Sequence, residues 1–159
     1  MREYKSEDIR NIAVVGHGAS GKTTLVDALA FVSGSSKRHG SVKDGTALTD
    51  FDPEETERGF SISLSCAHAE WMDTKINLLD TPGYSDFQGE AIAGLQAADG
   101  ALVVVSATGG VEPYEEGFLQ HHILRSRFDR AHERRNHIIL GAAAIVFNAV
   151  IYYFILTRR

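Results

Sequence analysis

Gly16-His17-Gly18-Ala19-Ser20-Gly21-Lys22-Thr23 decides the fold. The octapeptide fits G-x-x-x-x-G-K-[ST], a loop that cradles phosphates. Its glycines let backbone N–H groups converge on anionic oxygens without Cβ obstruction. Before it, Asn11-Ile12-Ala13-Val14-Val15 is a short apolar run that predicts a buried strand. After it, Lys22 to about Phe31 has apolar residues at the helical spacing of Leu25, Ala28 and Leu29, with Gly34 as a stop. Strand, glycine-rich turn and helix in that order aim the positive end of a helix at the bound anion. Lys22 then supplies a point charge for β and γ phosphates, Thr23 a hydroxyl for magnesium, and Thr24 a reach to the α phosphate.

Downstream, residues 33–59 read as a long polar loop, the kind that is usually functional or mobile. Phe60, Ile62, Leu64 and Cys66 alternate with serines, predicting a half-buried strand with Cys66 in the core. Trp71 is expected to pack at that strand's end. Lys75–Leu79 predicts a further strand ending at Asp80, and Thr81-Pro82-Gly83 a turn. The Asp80 carboxylate can hold magnesium there, and the Gly83 N–H can meet a γ phosphate. Phe87–Ala98 predicts a helix and Ala101–Val105 a fully buried strand. The succession is that of an α/β fold with a mostly parallel sheet.

Bulk properties restrict the alternatives. The chain has 159 residues, 43% apolar and 23% charged, values of a globular domain. A single cysteine excludes an internal disulfide framework. The start, MREYKSEDIR, is not a secretory signal. The net charge of −5 conceals a division. Residues 1–117 carry nine Lys and Arg against nineteen Asp and Glu, whereas 118–159 carry seven Arg against two acids. An acidic first part argues against a nucleic-acid-binding face. His17, His39 and His68 have no partners at metal-ligand spacing, and His121, His122, His132 and His137 form no H-E-x-x-H.

The motifs in series resemble the translational GTPases, most nearly the elongation factor G family. The resemblance rests on Gly16–Thr24, Thr49-Asp50-Phe51-Asp52-Pro53-Glu54-Glu55, Glu57-Arg58-Gly59-Phe60-Ser61-Ile62, Asp80-Thr81-Pro82-Gly83-Tyr84-Ser85-Asp86-Phe87 and Gly109-Gly110-Val111-Glu112-Pro113. It covers about residues 8–117. It implies a P-loop NTPase fold of the translational GTPase type, GTP and magnesium as ligands, and a GTP-driven switch acting on the ribosome in translocation. Residues 36–61 would form the first switch and 81–95 the second. Nucleotide would be held by Gly16, His17, Gly18, Ala19, Ser20, Gly21, Lys22, Thr23, Thr24, Asp80, Thr81, Pro82 and Gly83. Magnesium would be held by Thr23, Ser61 and Asp80.

Three departures qualify the resemblance. Ser61 stands where the family has Thr, and keeps the hydroxyl. Tyr84 stands where the family has the His that helps place the attacking water. A phenol hydrogen-bonds water but has no proton-accepting nitrogen near neutral pH, so slower or differently triggered hydrolysis is expected. The family's guanine-reading Asn-Lys-x-Asp is absent: Asn136 precedes His137 and Asn148 precedes Ala149. The expectation is therefore a truncated GTP-binding domain over 1–117 with an incomplete parallel sheet, then a basic connector over 118–137.

Ile138–Leu156 has nineteen residues with one strongly polar member, Asn148. As a helix it would reach about 28 Å, near the roughly 30 Å of a bilayer core. The arginines before it favour a cytoplasmic N-terminal part, so a C-terminal apolar, transmembrane helix and a tail anchor are expected, with a buried helix as the alternative. A frame shift or fusion near residues 112–120 and a membrane-tethered remnant both account for the charge break. Three functions remain open: a GTPase of the elongation factor G type, a membrane-anchored or inert nucleotide-binding remnant, and an ATP-binding protein.

Overall fold

In the computed structural model the described residues are 3–110, with four two-residue extended segments beyond them. Strands β1 (Ile9–Val15), β2 (Ser65–Trp71), β3 (Thr74–Asp80) and β4 (Gly100–Val103) form a sheet in the order β2-β3-β1-β4. β1 runs parallel to β3 and β4, while β2 runs antiparallel to β3. The sheet is thus mixed, not parallel throughout. The reason is local: Met72 and Asp73, at φ 46° and 62°, make a two-residue turn that returns the chain directly onto its neighbour.

Helices α1 (Lys22–Val32) and α3 (Gln88–Ala97) cover opposite faces. On one face, Val26 of α1 packs with Val14, Ala67, Ala69, Leu78 and Val104. On the other, Ala91 of α3 packs with Ala13, Val15, Ala101 and Val103. Successive residues of β1 therefore feed alternate cores, which is why its run is apolar without a polar face. A short helix, α2 (Pro53–Arg58), interrupts the segment expected to be loop. Its signals are in the sequence: Asp52 caps it by accepting from the Glu54 N–H, Pro53 opens it, and Gly59 at φ 71° ends it.

Three readings of the strand near residue 60 are corrected. It begins at Ser65, not Phe60, because the amides of Ile62, Ser63 and Leu64 are taken by carboxylates rather than by a ladder. Its phase is also inverted. Ser65, Ala67 and Ala69 face inward under α1, and Cys66 is exposed. Trp71, 57% exposed, does not pack at the strand end.

Beyond residue 110 the two-residue strands β5 (Ile139–Leu140), β6 (Ile145–Val146), β7 (Ala149–Val150) and β8 (Phe154–Ile155) are described. β5 pairs parallel with β4 and antiparallel with β8. These segments are extended where an apolar helix over 138–156 was expected. The rest of that expectation and the connector 118–137 lie outside the described residues. Among the described residues no helix is long and apolar enough to cross a membrane.

Candidate functional site

The parallel pairing of β1 with β3 sets Val14 opposite Asp80. Both strands therefore deliver their C-terminal ends to one edge of the sheet, where open α/β sheets bind ligands. The bond from the Thr81 hydroxyl to the Val14 carbonyl, 2.7 Å, fixes the second turn against the first strand.

The phosphate loop leaves β1 at Gly16, whose φ is 152° and whose Cβ, if it had one, would collide with the Val104 carbonyl. Ala19 (φ 59°) and Gly21 (φ 96°) are left-handed, so the chain curls tightly before α1 begins. Lys22 is buried, and its Nζ donates to the His17 carbonyl at 2.7 Å, arching across the loop. Gly83 lies so close that a Cβ there would meet Lys22 Nζ and the His17 carbonyl. The two turns thus form one cradle, with the Lys22 ammonium between them. Ser20 is fully buried, with its hydroxyl lacking a hydrogen-bond partner. Thr24 follows Thr23 on the first turn of α1, half-buried. Pro82 is fully buried.

The three expected magnesium ligands converge. The Thr23 and Ser61 hydroxyls lie 3.2 Å apart although 38 residues separate them. Asp80 is 1% exposed, accepts the Thr49 hydroxyl at 2.6 Å on one oxygen, and has its other oxygen without a hydrogen-bond partner. Burial pushes the Asp80 carboxyl up to about 6, against the opposing pull of Thr49, Thr23 and Lys22. A second acid, Asp50, accepts the Ser61 hydroxyl at 2.8 Å. It too is raised, by burial first, with the Ser61 bond opposing and the Glu55 charge adding to the rise.

Two hydroxyls, an under-satisfied buried carboxylate and a neighbouring acid form an all-oxygen donor set. That set fits a hard divalent cation completed by phosphate oxygens and water. Among the described residues no group of three or more His, Cys, Asp and Glu could hold a metal alone.

Tyr84 closes the cradle from outside. It is 42% exposed, and its ring lies over Gly18, where a Cβ would come within 2.7 Å of Cζ. Phe60 packs against it with ring centroids 4.8 Å apart and the rings tilted by 57°, and also meets Phe87 at 6.4 Å. Every expected site residue is therefore at this edge of the sheet. Sequence reasoning missed the roles of Thr49, Asp50, Glu55, Phe60 and Glu90. Thr49, Asp50 and Glu55 lay inside a recognised stretch, but nothing local marks which of its acids turns inward.

The profile of the elongation factor Tu GTP binding domain family matches residues 7–125. Elongation factor G 2 of Streptomyces coelicolor is 40% identical over 116 residues, covering 73% of this chain and 17% of that protein. Elongation factor G of Petrotoga mobilis is 43% identical over 115 residues, covering 72% and 16%. A crystal structure of a Thermus thermophilus protein superposes with a TM-score of 0.68 at 43% identity, over 70% of this chain and 17% of that one. A bacterial selenocysteine-specific elongation factor superposes at 0.56 with 32% identity, over 69% and 17%. The chain spans about a sixth of the length of each of these relatives.

Proposed function

Because this chain belongs to the family of elongation factor Tu GTP binding domains, we propose that it binds magnesium GTP and switches conformation with the state of that nucleotide. The single observation that carries the reading is the convergence of Lys22, Thr23, Ser61 and Asp80 at the paired ends of β1 and β3.

In this reading the amides of 16–24 and the Lys22 ammonium bind the phosphates. Gly83, having no Cβ, lets its N–H approach the γ phosphate. Thr23, Ser61 and Asp80 hold magnesium, and Asp50 orients the Ser61 hydroxyl toward it. When bound, the metal neutralises charge on the β and γ phosphates. Residues 36–61 and 81–95 serve as the two switch segments, ordered together by the triphosphate. The Tyr84 phenol hydrogen-bonds the attacking water from its position over Gly18. It cannot accept a proton as a histidine does, so hydrolysis is slow without a trigger.

The 40–43% identity to elongation factors G supports the ribosome as partner and the cytoplasm as place of action. Guanine selectivity is part of the proposal and has its own test. Competition of GTP, GDP and ATP against a fluorescent GTP analogue on the full chain is expected to show GTP displacing the probe better than ATP. Equal displacement by ATP would contradict the guanine assignment while leaving phosphate binding intact.

A further inference from the structure

Three consecutive amides just before β2 are held by carboxylates. The Ile62 and Ser63 N–H groups both donate to Glu55 Oε1, at 2.8 and 3.0 Å. The Leu64 N–H donates to Glu90 Oε2 at 2.9 Å. Glu55 belongs to α2, inside the first switch segment, and is 2% exposed. Glu90 belongs to the first turn of α3, inside the second segment, and lies at the surface. The residue immediately before this run is Ser61, whose hydroxyl sits 3.2 Å from Thr23 Oγ1.

We propose that Glu90 is a positioning residue: by holding the Leu64 amide from α3, it ties the second switch segment to the first and sets Ser61 in the magnesium corner. The inference rests on the nucleotide reading above.

The physical case has three parts. A segment without ladder bonds has its amides fixed only by these side chains, so its path depends on them. Glu55 fixes the segment only within its own switch; apart from the non-directional ring contacts of Phe60 with Tyr84 and Phe87, Glu90 supplies the hydrogen bond that holds it from the second. Glu90 alone, among the side chains bonded to these three amides, comes from the other switch. Any movement of the start of α3 must therefore release Leu64 or carry it along. Because Ser61 lies only three residues upstream of Leu64, the displacement reaches the metal corner. Glu90 never touches substrate or metal in this arrangement.

Glu90 is exposed, so replacing it opens no core. The experiment compares Glu90→Ala, Glu90→Asp and Glu90→Gln with the wild-type chain. Gln keeps an acceptor oxygen at the same reach, whereas Asp keeps the charge but withdraws the oxygen by one methylene. Two readouts are taken. The first is the magnesium concentration at half-maximal binding of fluorescent GTP analogue. Ala and Asp are expected to raise it about fivefold, the scale of one hydrogen bond, and Gln to remain within twofold of wild type. Binding of the analogue in EDTA should not differ among the four proteins.

The second readout is exchange of the Leu64 amide proton in the nucleotide-free chain. It should accelerate about fivefold in the Ala and Asp variants only. If the wild-type chain binds no nucleotide, the nucleotide reading fails, and the exchange rates still decide whether the latch exists. Unchanged exchange in both Ala and Asp, or magnesium midpoints equal to wild type, would overturn the proposal. So would a Gln variant as impaired as Asp.

Discussion

Replacing Asp80 with Asn should make the magnesium-free protein more stable relative to wild type at neutral pH than at acid pH. Asp80 is buried at the end of β3 with one oxygen lacking a hydrogen-bond partner, and its carboxyl is raised from 3.8 to about 6. The folded value lies above the unfolded one, the reverse of the usual acid. The folded state therefore binds the extra proton between pH 3.8 and 6, and Asp80 costs stability as pH rises through that window. Above pH 7 the cost is complete at about 3 kcal/mol. Between pH 4.5 and 7.5 it changes by about 2 kcal/mol.

Asparagine has no such titration. Its amide keeps an oxygen for the Thr49 hydroxyl, while its NH₂ on the open side costs about 1–2 kcal/mol at any pH. Urea unfolding of both proteins in EDTA at pH 4.5 and 7.5 brings out the effect, because titrating groups that do not interact with Asp80 cancel in the difference, leaving Asp80 and the charge it shares with Asp50. The variant should gain about 2 kcal/mol on wild type between the two pH values. A difference that stays constant, or moves toward wild type as pH rises, would refute the claim that Asp80 is a buried charge awaiting a cation. With magnesium and GTP added, the order should invert, since the variant offers no carboxylate.

Other outcomes follow from the same geometry. Tyr84→His should raise GTP turnover in a single-turnover assay, and an unchanged rate would remove Tyr84 from the mechanism. Gly83→Ala places a methyl on Lys22 Nζ and the His17 carbonyl, and should weaken triphosphate binding more than tenfold while also lowering the melting temperature, since the His17 backbone must shift. Asp27, 2% exposed, accepts from the Gly40 and Leu48 amides at 2.6 and 3.0 Å. Asp27→Ala should therefore cost about 2–4 kcal/mol by urea unfolding and speed amide exchange across 40–48.

The phosphate loop, its flanking strand and helix, and the Asp80 turn were legible because their signals are local. A glycine spacing, an apolar run and a capped helix each lie within a dozen residues. Even the start of β3 is given within one residue. The strand near residue 60 was misread for an equally physical reason. Alternation of Phe60, Ile62 and Leu64 with serines is the period of a strand, but those amides are satisfied by Glu55 and Glu90 instead. Nothing in the alternation reveals a competitor 26 residues away. The inward turn of Cys66 failed with it, since one step of register reverses every side chain. Helix α2 was readable from Asp52-Pro53 and Gly59, yet a polar stretch with several glycines hid it. The meeting of Ser61 with Thr23 came from resemblance, because a contact across 38 residues depends on a path that only the fold provides.

The central claim is that main-chain amides, one ammonium and a few oxygens at the ends of β1 and β3 hold a magnesium triphosphate. Equilibrium titration of a fluorescent GTP analogue, with magnesium and with EDTA, tests it on wild type and Lys22→Ala. Wild type should bind in a magnesium-dependent manner, and Lys22→Ala should lose about 100-fold in affinity, the worth of a buried charge-assisted contact to phosphate. Undiminished binding by Lys22→Ala, or no binding by wild type with magnesium present, would contradict it.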